Sequence, residues 1–290
     1  MDFSNSLAEI GAGVVEARHR AGVEGEIWED GRPYCKKCGE PLMLELKFSG
    51  AIAETLGATR FVPRDCECMR AMFAVEDAAE KKAKQQQAIE KARLEGLKEK
   101  KYRETSFALD DGRNPKIRRM CEQYVQKRGA MIEGNYGLAF IGNNGSGKTF
   151  WAACIANALI DAGASVYMIK LKSLIDAMTA DYGESREVEL RKIRTADFLI
   201  LDDYGAERGT DFSLEQAFEV IDTRYNAKKP LIITANLTEE ILNNPPNVNY
   251  GRSYQRIIEL CPAIVRVDGN RRTEIAAQKR KEMAALLRGE

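Results

Sequence analysis

The 290 residues contain a single histidine, His19, in a glycine-rich polar stretch with no evident partner. Histidine acid–base chemistry would rest on that one side chain, so we read it as a solvated surface group. No apolar run approaches the roughly 18–20 residues that a membrane span needs. Met1 to Val15 include Asp2 and Glu9 and lack a basic stretch before an apolar one, so they do not read as a secretory signal. Net charge is absent as well, because 44 Lys and Arg balance 44 Asp and Glu. Bulk charge therefore does not advertise nucleic acid, although a neutral total can hold a local basic path. These absences predict a cytoplasmic chain without a membrane partner. Its length allows one large domain with appendages, or two domains.

Three zones divide the chain. The first, residues 1–70, is rich in glycine and holds Cys35, Cys38, Cys66 and Cys68. The second, residues 71–104, is dominated by Ala, Gln, Lys and Glu with no proline, and it mixes charge signs along its length. Its few apolar residues offer little to bury, so it reads as an exposed connecting helix; coiled-coil pairing would need heptads that are not sustained. The third zone, residues 105–290, alternates short apolar runs with helical stretches. Strands are expected at Gly137 to Ile141, Ser165 to Ile169, Phe198 to Leu201, Leu231 to Thr234 and near Ile264 to Val267. Helices are expected at Thr149 to Ala162, Leu171 to Asp181 and Leu214 to Ala227. That alternation predicts an α/β fold with a parallel sheet covered on both faces.

The sharpest signal is Gly142-Asn143-Asn144-Gly145-Ser146-Gly147-Lys148-Thr149, followed by Phe150. It follows an expected strand and opens an expected helix, the setting that turns the pattern into a phosphate loop. Glycines let the backbone curl so that its N–H groups converge on anionic oxygens, and the helix adds its positive dipole end. Lys148 is expected to reach the β- and γ-phosphates of ATP, and the Thr149 hydroxyl to ligate magnesium. Next, the apolar run Phe198 to Leu201 delivers Asp202 and Asp203 to the carboxyl edge of the sheet, where ligands of open α/β sheets bind. Asp202 is expected to hold magnesium, directly or through water, and Asp203 to polarise an attacking water. Aspartate is shorter than the glutamate many such ATPases carry at the second place, which suggests slow turnover or turnover dependent on assembly. Asn236, ending the run Leu231 to Ala235, is the candidate for positioning that water or touching the γ-phosphate. Arg252 and Arg256, four apart on an expected helix, share a face. An arginine presented to a neighbouring subunit's nucleotide stabilises charge in phosphoryl transfer; surface salt bridges are the alternative.

Taken together, these residues resemble the DnaC/DnaI-type helicase loaders of the AAA+ superfamily and their relatives, the IstB-type transposition ATPases. The resemblance covers roughly Tyr102 to Arg272. It rests on the two nucleotide motifs, Thr234-Ala235-Asn236, the Arg252/Arg256 pair and the ending Gly269-Asn270-Arg271-Arg272. After the last strand only a short basic tail remains, with no room for the full helical lid of many AAA+ proteins, and such loaders share that feature. The resemblance implies an amino-terminal region that binds a replicative DNA helicase. It also implies ATPase domains that form a homo-oligomer along single-stranded DNA, with at least one of Arg252 and Arg256 acting in trans. By position in the family's pattern, Tyr182, Thr210 and Phe212 match single-strand contacts; packing at helix ends is the alternative for the two aromatics. A transposition helper, or a nucleotide-gated zinc-containing adaptor with little turnover, would carry the same ATPase signature.

Cys35-Lys36-Lys37-Cys38 and Cys66-Glu67-Cys68 offer four thiolates in two close pairs, enough to surround a tetrahedral zinc ion with no open position. A structural role follows, and in so small and apolar-poor a zone the metal would supply much of the folding free energy. A disulfide does not suit a reducing compartment. Loaders of the resembled type from some bacteria also carry a zinc-binding amino-terminal domain. Cys121, Cys154 and Cys261 are scattered and read as structural.

Overall fold

The computed structural model describes residues 26–29, 32–180, 183–205, 211–245 and 248–288. The chain divides into two compact units, one ending at Gln86 and one beginning at Gln87. Among the described residues no helix is long and apolar enough to cross a membrane.

The amino-terminal unit is built on two antiparallel hairpins. Strand β1 (Glu26–Glu29) pairs with β2 (Arg32–Cys35), and β3 (Met43–Lys47) pairs with β4 (Thr59–Pro63). A short helix, α1 (Ala51–Leu56), lies within the connection between β3 and β4. The long helix α2 (Glu67–Gly96) begins in this unit and contains the boundary between the two. Among the described residues the unit's buried core is Cys35, Leu42, Cys66 and Met69, with Cys68 packed against it. Those side chains bury little apolar area between them.

The second unit is a five-stranded parallel sheet in the order β6-β7-β8-β5-β9, with β5 (Leu138–Ile141), β6 (Val166–Lys170), β7 (Phe198–Tyr204), β8 (Leu231–Ala235) and β9 (Ala263–Arg266). All of β5 and β8 are buried, as expected for strands covered on both faces. Their side chains alternate between two cores. Ala139, Ile141, Leu199, Leu201, Leu231 and Ile233 face one core with α7 (Leu171–Ala180), α8 (Glu184–Thr195), α9 (Asp211–Asn226) and α11 (Val248–Leu260). Leu138, Phe140, Phe198, Ile200 and Ile232 face the other with α6 (Lys148–Asp161) and α4 (Pro115–Gln126). Helix α6 is buried nearly all round. Ala152, Ala153 and Ala156 let it lie close to the sheet, and this replaces an amphipathic pattern. The remaining helices are α3 (Lys100–Arg103), α5 (Arg128–Glu133), α10 (Glu239–Asn243) and α12 (Arg271–Arg288).

Two expectations change. The connecting helix stops at Gly96 instead of running through to Glu104, and the turn after it is not exposed: Leu97 and Tyr102 are fully buried in the second unit. A side chain at position 96 would meet the Val166 carbonyl oxygen 2.2 Å away, so the close approach to β6 requires glycine there. The basic tail is an 18-residue helix, α12, with no buried residue; a single helix is not a full lid. The strands expected at the carboxyl-terminal zone all form, while the two hairpins of the first unit had no strand expectation.

Arg224 is fully buried on α9 and donates to the carbonyls of Ile193, Ala196, Asp197 and Pro230, which pins α8 and the start of β8 to the same side chain. Arg224→Leu would leave those acceptors without donors. We expect a loss on the order of 3 kcal/mol, seen as a lower midpoint in urea unfolding of the second unit; an unchanged midpoint would contradict this role.

Candidate functional site

The loop between β5 and α6 owes its shape to glycine. Gly142, Gly145 and Gly147 have φ of 140°, 80° and 107°, a region L side chains rarely adopt. At Gly142 a Cβ would also lie 2.3 Å from the Val267 carbonyl oxygen, and at Gly145 it would lie 2.5 Å from Asn270 Oδ1. The loop is thus closed from outside by the segment that follows β9. Arg271 N–H donates to the Gly145 carbonyl at 2.9 Å, and the Arg271 guanidinium lies over the Phe150 ring at 5.7 Å while pairing with Asp111 at 2.8 Å. The Gly269-Asn270-Arg271-Arg272 ending therefore builds part of the loop's wall.

Lys148 opens α6 and is almost wholly buried. Its Nζ donates to the Gly142 carbonyl at 2.9 Å, the Asn143 carbonyl at 2.8 Å and Asn236 Oδ1 at 2.8 Å. Burial lowers its pKa, opposed by the Asp203 and Asp202 carboxylates. The structure thus brings Asn236, 88 positions away, onto the loop lysine.

Asp202 is the centre of the site. It is 1% exposed, so its carboxylate must find donors in the protein. Oδ1 accepts from the Thr149 hydroxyl at 2.6 Å and the Thr234 hydroxyl at 2.7 Å, and Oδ2 accepts from the Tyr102 hydroxyl at 2.8 Å. Just beyond, β7 bulges: Leu201 pairs with Ile233 but Tyr204 with Ala235, so β7 spends one extra residue. Asp203 absorbs it at φ 63°, a left-handed conformation uncommon for a residue other than glycine, and its N–H donates to Thr234 Oγ1 at 3.0 Å. The bulge thus adds one residue to β7 at the end that carries the two aspartates.

The chemistry of this donor set fits a magnesium nucleotide. A glycine-lined anion loop, a lysine, a hydroxyl on the first helical turn and a carboxylate one hydrogen bond from it are assembled together. Ser146 Oγ, buried without a hydrogen-bond partner among the described residues, adds a free polar group inside the loop. Beside it a groove of about 860 Å³ is lined by residues including Leu109, Asp111, Phe150, Arg271 and Ile275.

Other expected residues lie elsewhere. Arg252 and Arg256 share α11 as expected, and both line a groove against α9 with Phe218 and Tyr225. Arg256 pairs with Asp222 and stacks over Phe218 at 4.9 Å and Tyr225 at 5.1 Å. The Arg256 contacts are thus to α9, and Arg252 lines the same groove. Phe212, at the start of α9, is 49% exposed and is not held as core packing. Tyr182 and Thr210 lie outside the described residues. Sequence reading missed Tyr102, Thr234, Arg271 and Arg272 as individual site residues. Thr234 could have been found from its place one residue before Ala235-Asn236; Tyr102 carries no local signal.

In the first unit the sulfurs of Cys35, Cys38, Cys66 and Cys68 all lie within 4.8 Å of one another. The nearest pairs are 3.2, 3.4 and 3.6 Å apart, close to the roughly 3.8 Å edge of a zinc–thiolate tetrahedron with 2.3 Å bonds. The first pair is set by a knuckle in which Gly39 N–H donates to the Cys35 carbonyl and Gly39 takes φ 72°. The second is set by the start of α2, where Glu40 Oε2 accepts the Glu67 N–H at 2.7 Å. The backbone N–H of Cys38 directed at the Cys35 sulfur, against the effect of burial, lowers that thiol to about 6, while burial raises Cys66 and the hydrogen bond to Cys66 raises Cys68.

This fold and loop define an ATP-binding protein of the AAA+ P-loop class. The model of the IstB-like ATP binding protein family matches residues 65–243, more than half of the chain, and the chain belongs to that family. It is similar to the replicative helicase loader DnaC of Escherichia coli K12, with 28% identity over 125 residues that cover 41% of this chain and 49% of DnaC. The replicative helicase loader DnaI of Bacillus subtilis 168 is 27% identical over 147 residues, 47% of each chain. The chain spans about half the length of these curated relatives. A crystal structure of the DnaC helicase loader, 24% identical, superposes with a TM-score of 0.50 over 59% of this chain and 100% of that one, a likeness of fold.

Metal analysis of the purified chain should find one zinc per molecule, and Cys38→Ser with Cys66→Ser should remove it and melt the first unit while the second keeps its unfolding transition. Zinc-free wild-type protein with a folded first unit would reject the four-sulfur centre.

Proposed function

We propose that the chain is an ATP-dependent helicase loader acting in DNA replication. Its cysteine-centred first zone, residues 1–70, docks on a replicative DNA helicase. Residues 71–104 connect it to the AAA+ part, residues 105–290, which binds ATP and single-stranded DNA in an assembly of like subunits. The observation that carries this reading is the joining of Lys148, Thr149, Asp202, Thr234 and Asn236 into one nucleotide site, on a chain that also bears a separate four-sulfur module and matches named helicase loaders over its AAA+ part. A metabolic enzyme would need a second substrate pocket beside the phosphates; a loader needs a partner surface instead.

Within this reading the loop amides and Lys148 hold the β- and γ-phosphates, and Thr149 and Asp202 hold magnesium. A magnesium ion bound there would neutralise charge on the phosphates. Asp203, at the bulge, accepts the proton of the attacking water, and Asn236 orients that water once Lys148 turns to phosphate. The groove beside Phe150 and Ile275 receives the nucleoside. Arg252 and Arg256, in the groove between α11 and α9, complete a neighbour's site, where an arginine supplied in trans accelerates phosphoryl transfer by about 10³-fold or more. Half-exposed Phe212 offers a face on which a base stacks, and Tyr182 and Thr210 take the same role by their place in the family's pattern. The IstB-like character of the family favours a second reading, a helper of transposition, in which the partner is a transposase.

Lys148→Ala should abolish ATP hydrolysis, by at least about 100-fold, in steady-state assays with single-stranded DNA present; undiminished turnover would remove the site assignment. Immobilised full-length chain should retain a replicative helicase from a lysate of its source organism, and the double cysteine variant should not. Recovery of a transposase alone would decide for the second reading.

A further inference from the structure

The geometry points to Tyr102 as a positioning residue for Asp202, and through it to a coupling between the nucleotide site and the segment that ends the long connecting helix. The inference rests on the nucleotide-site reading above and deepens it.

Asp202 is held by three hydroxyls from three separate parts of the chain, and one of them, Thr149, is the group that magnesium requires. When Thr149 serves the ion, Oδ1 keeps only Thr234 as a donor. Tyr102 is then the sole hydroxyl on Oδ2 and fixes which way the carboxylate faces. Donors of this kind behind a metal-binding carboxylate set its orientation and the affinity of the ion. The phenol is fully buried, so its proton has few acceptors to choose from. It has two: Asp202 Oδ2 at 2.8 Å and Glu99 Oε1 at 3.2 Å, the latter also bound by Lys170 Nζ at 2.9 Å. One proton cannot serve both, so a change at Asp202 is felt at Glu99 and Lys170.

The segment bearing Tyr102 is fastened so that such a change travels. Asn157, buried on the helix that follows the phosphate loop, donates to the carbonyls of Tyr102 at 2.7 Å and Thr105 at 2.8 Å and accepts from Arg93 Nε at 2.9 Å. Arg93 lies in the last turn of α2 and also pairs with Asp161. Leu97 bridges to Met168, and Lys98 N–H donates to the Met168 carbonyl at 3.2 Å. Arg93 to Thr105 is therefore attached to both the loop helix and β6, with its single buried hydroxyl on the magnesium carboxylate. Occupancy of the nucleotide site tightens this segment, and α2 continues from it.

The test uses the full chain, a fluorescent non-hydrolysable ATP analogue, and titrations in excess magnesium and in EDTA, followed by amide hydrogen exchange. Wild type should bind more tightly with magnesium. Tyr102→Phe, which keeps the ring, should lose about tenfold of the magnesium-dependent gain with unchanged affinity in EDTA. In wild type, exchange over residues 97–105 should slow when magnesium and analogue are added; in the variant it should not respond. A wild type that binds no analogue overturns the nucleotide-site reading and this inference with it. Wild-type binding with an equal magnesium gain in the variant, or equal losses in magnesium and EDTA, overturns the positioning role alone. Unchanged exchange over 97–105 in wild type, a measurement needing no variant, overturns the coupling.

Discussion

A carboxylate removed from water must be surrounded by donors, and in this protein that requirement gathers the second unit around Asp202. Thr149 comes from the loop helix, Thr234 from the central strand and Tyr102 from the turn after the connecting helix. The strand order makes this possible. Because β8 lies between β5 and β7, Thr234 stands beside Asp202, and Asn236 just beyond β8 reaches the lysine of the loop. The bulge at Asp203 turns its N–H onto the Thr234 hydroxyl that also serves Asp202. Each of these features would be a cost on its own: a buried charge, an uncommon φ, a broken ladder. They are tolerated together because each supplies what another lacks.

The two units rest on different physics. The second buries two apolar layers against a parallel sheet, and its stability comes mainly from that burial. Among its described residues the first has four buried hydrophobic side chains, two of them cysteines, and these draw little on that source. Its four sulfurs lie within 4.8 Å of one another, and a metal bound among them would add folding free energy.

How much could be read from the chain follows the range over which each signal acts. Gly142 to Thr149 and Phe198 to Asp203 are local patterns whose neighbours in sequence are also their neighbours in space, and they were legible. The four cysteines were legible because thiols have few other uses in such spacing. The hairpins of the first unit were not, since four- and five-residue strands with mixed polarity, such as Met43–Lys47, show no clean alternation. The end of the long helix was misjudged because Gly96 marks a close approach to Val166 that only the fold reveals. Tyr102 stands among lysines, arginine and glutamate, a setting that reads as solvated, and its partner is 100 residues away. The same holds for Arg271, whose contact with Gly145 follows from where β9 ends.

The central claim is that the carboxylate so assembled is what couples magnesium to nucleotide. Binding of an ATP analogue to Asp202→Asn, compared with wild type at increasing magnesium, tests it most directly. The account predicts that wild type tightens as magnesium rises while the variant binds with one affinity throughout. An Asp202→Asn variant that gains as much from magnesium as wild type would contradict it.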